Sequence, residues 1–133
     1  VNESILKLIF STGATITTYA FGGWSAVLGV LVALVVIDQV TGIVASIKDG
    51  TGLSSRVGFI GISKKVFIFV VIAMCHWFDG IMNLNGILMD AAIYFYIANE
   101  TISIIENLGR IDVLIPEQLK QIITVLRNKN QNK

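Results

Sequence analysis

WSAVLGVLVALVVIDQVTGIVASI, residues 24–47, decides the fold. Apart from Asp38, past its middle, the stretch carries no charge. A helix of this length would reach ~36 Å at 1.5 Å per residue, enough to cross a hydrocarbon core of ~30 Å with some tilt. Trp24 opens it just after Gly22 and Gly23, where an indole suits the headgroup level.

The whole chain agrees with a lipid solvent. Of its 133 residues 54% are hydrophobic and only 14% charged, against roughly 25% charged in a soluble domain. Mean hydropathy is +0.76. A soluble fold this small would need more charge to cover its surface. The length suits one domain, and the net charge of +1 gives no basis for nucleic-acid binding. Cys75 is the only cysteine, so no disulfide forms within one chain, and it is expected to be a packed apolar residue.

Working outward, the N-terminal segment (1–23) mixes Ile5, Leu6, Leu8, Ile9 and Phe10 with Ser, Thr and Gly. It is too polar for a span and reads as an amphipathic helix lying in the interface. Glu3 and Lys7, with no basic stretch ahead of them, do not match a cleaved signal peptide, so the spans themselves are expected to do the targeting. After the first span, residues 48–61 read as a Gly- and Ser-rich loop. A second span is expected at 62–82, around VFIFVVIAMCHWF, and ends near Asp79. NLNG at 83–86 is a turn signal. The third span, ILMDAAIYFYIANETISIIENLG at 87–109, is the most polar. Pro116 then opens an amphipathic stretch within 115–133, with Leu119, Ile122, Ile123 and Leu126 on one face, and the final NKNQNK is expected to be disordered.

Basic residues set the orientation. Lys48, Arg56, Lys64 and Lys65 follow the first span, and Arg110, Lys120, Arg127, Lys129 and Lys133 follow the third. The 83–86 turn has none, and the N-terminal segment has Lys7 alone. Basic loops stay in the cytoplasm. Three spans with the N-terminus outside and the C-terminus in the cytoplasm satisfy all of these positions.

An ionised residue at the centre of a span costs ~2.5–3.5 kcal/mol. Asp79 and Asp90 are expected near the outer interface, where that cost is small; Asp38 and Glu100 are not excused in this way. Tyr96, Glu100, Ser103, Asn107 and Arg110 fall on one face of the third span, flanked by Asn99 and Glu106. Lipid cannot satisfy such a stripe. It would serve as hydrogen-bonded glue between helices, line an aqueous lesion in an oligomer, or relay ions or protons. Three helices alone are expected to shield it poorly, which favours assembly. The pairs Gly29/Ala33 and Gly42/Ser46 are four apart and would let two helices approach closely.

No catalytic set emerges. There is no nucleophile with a base at suitable spacing, no phosphate-binding glycine loop and no H-E-x-x-H. His76, the only histidine, lacks the neighbours of a metal site and reads as a packed or interfacial imidazole. The chain is expected not to be an enzyme and to use no cofactor or metal.

The polar residues form an ordered series. GGW at 22–24 is followed by D-x-x-T-G at 38–42 and S-S-x-x-G-x-x-G-x-x-K-K at 54–65, then YFYIANETISIIEN at 94–107 and IPEQL at 115–119. This series resembles the phage holins of the toxin-secretion and lysis family, which includes similar clostridial proteins, and the resemblance covers about Gly22 to Leu126. IANE-x-x-S-I-x-EN is its most specific block. Thr101 replaces a more usual small residue after the glutamate, and Arg110-Ile-Asp112 replaces a glycine-containing link.

The resemblance implies an all-α membrane protein that forms homo-oligomeric lesions in the bacterial cytoplasmic membrane. Endolysin or toxin would pass through as cargo without tight binding, and an antiholin is a conceivable partner. The matching positions are Asp38, Thr41, Gly42, Lys64, Lys65, Asn99, Glu100, Ser103, Glu106 and Asn107. Two alternatives stay open: a subunit of a gated channel or small transporter, and an antiholin that regulates a partner holin.

Overall fold

A computed structural model describes residues 2–52 and 54–131. They form five helices: α1 (Glu3–Phe21), α2 (Ala26–Lys48), α3 (Ser55–Met82), α4 (Ile87–Arg110) and α5 (Glu117–Gln131). Length and composition mark three of them as candidate spans: Ala26–Lys48, Arg56–Met82 and Ile87–Arg110. The all-helical architecture, three spans flanked by terminal helices, is as the sequence implies.

Local chemistry sets most boundaries. Asn2, Ser25 and Ser54 occupy N-cap positions, where their side chains accept from the backbone N–H of Ser4, Leu28 and Val57. At the end of α1, Gly22 takes φ +73°, and a Cβ there would stand 2.8 Å from His76 Cε1, so both backbone conformation and close packing favour glycine. The 83–86 turn uses Asn83 and Asn85, each at φ 55°, then Gly86 at φ 84°.

Two boundaries differ from the sequence reading. The loop expected at 48–61 is confined to 49–54, and α3 starts at Ser55, about two turns before Ile62. Gly58 and Gly61 resemble loop residues in composition, yet each costs a helix only about 1 kcal/mol relative to alanine. The Ser54 cap and the apolar residues Val57, Phe59 and Ile60 carry the helix through them. Likewise, Asn128–Gln131 of the expected disordered tail are helical, since no Pro or Gly follows Pro116 to stop α5. Residues 132 and 133 lie outside the described residues.

The long helices form an antiparallel bundle with two ends, one at the 83–86 turn and the other at the 49–54 loop. α4 packs most extensively on α2 and next on α3, so it is the central element. Near the turn end, Leu28, Leu31, Ile72, Met89 and Ile93 form the buried apolar core. Elsewhere many apolar side chains face outward, among them Val36, Val40, Phe59, Phe67 and Phe95. A water-soluble bundle could not leave so much apolar surface open, whereas lipid covers it at no cost.

α1 buries none of its side chains. It is tied to α3 at its last turns, where Trp77 Nε1 donates to the Tyr19 carbonyl at 3.0 Å and Phe21 meets Phe69 edge-on. α5 buries Ile123 but leaves Leu119 and Ile122 exposed. The Leu126 side chain, placed on the same face by the sequence, lies outside the described residues.

Candidate functional site

The site begins with one face of α4. Glu100, Ser103 and Asn107 are three and four residues apart, so one helical turn separates each from the next. α2 brings Asp38 opposite them, about 18 Å along the helix from its start at 1.5 Å per residue. α3 supplies Lys65. The Lys65 ammonium lies 2.5 Å from Asp38 Oδ2 and 3.2 Å from Glu100 Oε2.

The other oxygen of Asp38 is also engaged. Ser103 Oγ donates to Asp38 Oδ1 at 2.7 Å, and Asn107 Nδ2 donates to the same atom at 2.9 Å. Asn107 Nδ2 also lies 3.2 Å from the Asp38 carbonyl and 3.1 Å from Thr41 Oγ1. Thr41 donates back to the carbonyls of Ile37 and Asp38. A Cβ on Gly42 would sit 3.5 Å from Asn107 Nδ2, so the glycine leaves the amide room against α2. Asp38, Glu100 and Asn107 are 8%, 6% and 7% exposed. Five side chains from three helices thus satisfy one another within the single chain. The expectation that three helices would shield this stripe poorly is overturned: α2 and α3 cover most of it.

Two carboxylates around one ammonium give strong, directional, charge-assisted bonds. Such a cluster adds little net stability over apolar packing, but removing one member is costly, ~3–5 kcal/mol. It therefore specifies one arrangement of helices. A cleft of about 240 Å³ reaches the cluster from the loop end. Its walls include Gly42, Ser46, Gly52, Ser54, Gly58 and Gly61.

The remaining sequence candidates lie elsewhere. Lys64 is exposed, and Asn99 is half-buried beside Glu100. Glu106 pairs with Arg127 of α5. At Gly29 a Cβ would meet the chain's own Trp24 ring at 3.3 Å. Tyr96 packs against the apolar core instead of joining the cluster. Arg110 turns to Asp49, 2.7 Å away, and Lys48 pairs with Asp112. Arg110 and Thr51 hold the Asp49 carboxyl below its ordinary value of 3.8.

Asp79 has a role its position in sequence hid. Expected at the outer interface, it is 4% exposed. Its two oxygens accept from the backbone N–H of Leu88 and Met89, each at 2.9 Å. It caps α4 from the end of α3, where Gly86 provides no side chain to do so. The only local signal was the missing N-cap residue ahead of Ile87.

The pattern of the bacteriophage holin family matches residues 15–128, which include every member of the cluster and all three spans. The chain belongs to the bacteriophage holin family. It is 38% identical over 106 residues to a "Probable holin" of Bacillus phage phi105, covering 80% of this chain and 78% of that relative. An uncharacterized protein of Halalkalibacterium halodurans is 44% identical over 130 residues, with 94% and 96% covered. An uncharacterized 14.9 kDa protein of Clostridium perfringens is 39% identical over 117 residues, with 86% and 87% covered. No solved structure matches. This holin-family chain is a multi-pass membrane protein with three candidate spans.

Proposed function

We infer that the protein is a holin that accumulates in the bacterial cytoplasmic membrane and then assembles into lesions that release endolysin or toxin. The observation that carries this reading is the closed polar cluster Asp38–Lys65–Glu100–Ser103–Asn107. In the single chain these groups satisfy one another, so the protein is tolerated as a compact bundle. When helices separate, the same groups present a polar face that only water or another copy can satisfy. One set of residues thus supports both a harmless state and a lesion-lining state. The distribution of Lys and Arg supports an N-terminus outside and a C-terminus in the cytoplasm.

Inducible expression in a bacterial host tests the function. A holin stops growth and respiration alone and lyses cells when an endolysin is co-expressed. Growth without arrest would favour an antiholin, and release of ions without a folded enzyme would favour a channel. Glu100→Gln tests the mechanism. It keeps size and hydrogen bonding but loses the charge held by Lys65, so lysis should shift in time at matched membrane levels. Unshifted timing with Glu100→Gln and also with Glu100→Leu would remove the cluster from the mechanism.

A further inference from the structure

Next to Asp38, α2 carries a second polar side chain that the cluster does not use. Gln39 lies about 20 Å from the start of α2 and about 14 Å from its end by helical rise, well inside a hydrocarbon core. It is half-buried, and among the described residues its amide has no hydrogen-bond partner. An amide brings two donors and an acceptor, and lipid can satisfy none of them.

The surroundings of Gln39 are those of an empty seat. It lines a groove of about 270 Å³ between α2 and α3, whose other walls include Val35, Val36, Lys65, Val66 and Phe69, and it also borders the cleft that reaches the polar cluster. α4 packs on both helices, and every residue lining this groove comes from α2 or α3. Acyl chains could fill the apolar walls but not the amide. An occupant with a hydrogen-bonding group at this depth would satisfy the amide where acyl chains cannot, in place of water from the neighbouring cleft.

We propose that the α2–α3 groove is the contact surface for a second copy of this chain, with Gln39 bonded to Gln39 of that copy. The proposal rests on the self-assembly in the proposed function and specifies its first interface. Copies inserted with one orientation carry Gln39 at the same depth, so a two-fold axis along the membrane normal brings the amides together without a shift in register. Each amide then donates to the other's carbonyl oxygen, and the valines flanking Gln39 pack beside them. A two-fold contact closes at two copies. It therefore describes the tolerated pair, and growth into a larger lesion uses other surfaces.

The test is disulfide and bis-maleimide cross-linking of the full chain in bacterial membranes, on a Cys75→Ala background that retains lysis. Gln39→Cys should give a cross-linked dimer, while Ile37→Cys, at the same depth on the opposite face of α2, should not. With Gln39→Leu both bonds of the pair are lost, and dimer captured by an amine-reactive cross-linker should fall roughly 8-fold or more, from the average for two interhelical hydrogen bonds in a bilayer. Dimers through Ile37→Cys but not Gln39→Cys would overturn the groove and leave self-assembly standing. Monomer under every cross-linker would overturn both. Gln39→Cys that reacts with a membrane-impermeant maleimide and forms no dimer would show the amide bathed by water from the neighbouring cleft, and would also overturn the groove contact.

Discussion

The two ends of the bundle are closed by different physics. At the 83–86 turn, Leu28, Leu31, Ile72, Met89 and Ile93 pack together, and Asp79 bonds the end of α3 to the backbone of α4. Toward the 49–54 loop, closure rests on charge: the Asp38–Lys65–Glu100 cluster, then Lys48–Asp112, Asp49–Arg110 and Glu106–Arg127. Dispersion contacts are numerous and degrade gradually. Ion pairs depend on geometry, protonation and salt. One end is therefore a fixed joint and the other can be released.

Lys65→Met should break this contrast most severely. It leaves Asp38 and Glu100 facing each other without a cation, a change of ~3–5 kcal/mol. Thermal unfolding in detergent micelles should show the largest loss of Tm in any single-site series, with Lys64→Met near wild type because that side chain is exposed. Equal effects at both lysines would mean the pairing with Asp38 is not what holds the loop end.

Asp79→Ala comes next. A buried N–H at Met89 and a half-buried one at Leu88 lose their acceptor, at ~1–3 kcal/mol. The damage should stay local, with faster amide exchange at Leu88 and Met89 and little change around Asn107. Exchange that rises equally at both ends would contradict independent closure.

The smallest effect is expected at Asp49. Its carboxyl is held below 3.8 by Arg110. A depressed carboxylate contributes stability above its ordinary value, and that contribution is lost as pH falls through the depressed one. Spectroscopic separation of the α2 and α4 ends should thus be flat from neutral pH down to about 4 and rise only below it. Asp49→Asn should abolish that acid step, and high salt should reduce the contact at neutral pH because the pair is exposed.

What the sequence reveals follows the range of the interaction. The three spans are local properties of composition, and the stripe Glu100, Ser103, Asn107 is local to one helix, so both were legible. The series in which Asp38 and Lys65 stand named the partners without showing that they meet. The start of α3 was hidden because Gly58 and Gly61 look like loop residues, although a good cap and apolar neighbours outweigh them. The contacts of Asp79 and Arg110 were hidden for another reason. Their partners, Met89 on α4 and Asp49 in the loop after α2, lie on other segments, and no periodicity within one helix reports a contact across segments. The Trp24 ring beside Gly29 was likewise hidden, because spacing on a helix reports nothing of a side chain folded back from before its first turn.

Asp38 also imposes an order on biosynthesis. Its cation, Lys65, lies 27 residues later in the chain, and Asn107 lies 69 residues later. At ~5–20 residues per second, a ribosome needs about 3–14 s to make the interval from Asp38 to Asn107. For those seconds α2 holds an incompletely matched carboxylate at a depth where lipid offers it nothing. Translocation machinery or water must shelter that residue until α4 emerges, so the first span made is the last to be complete.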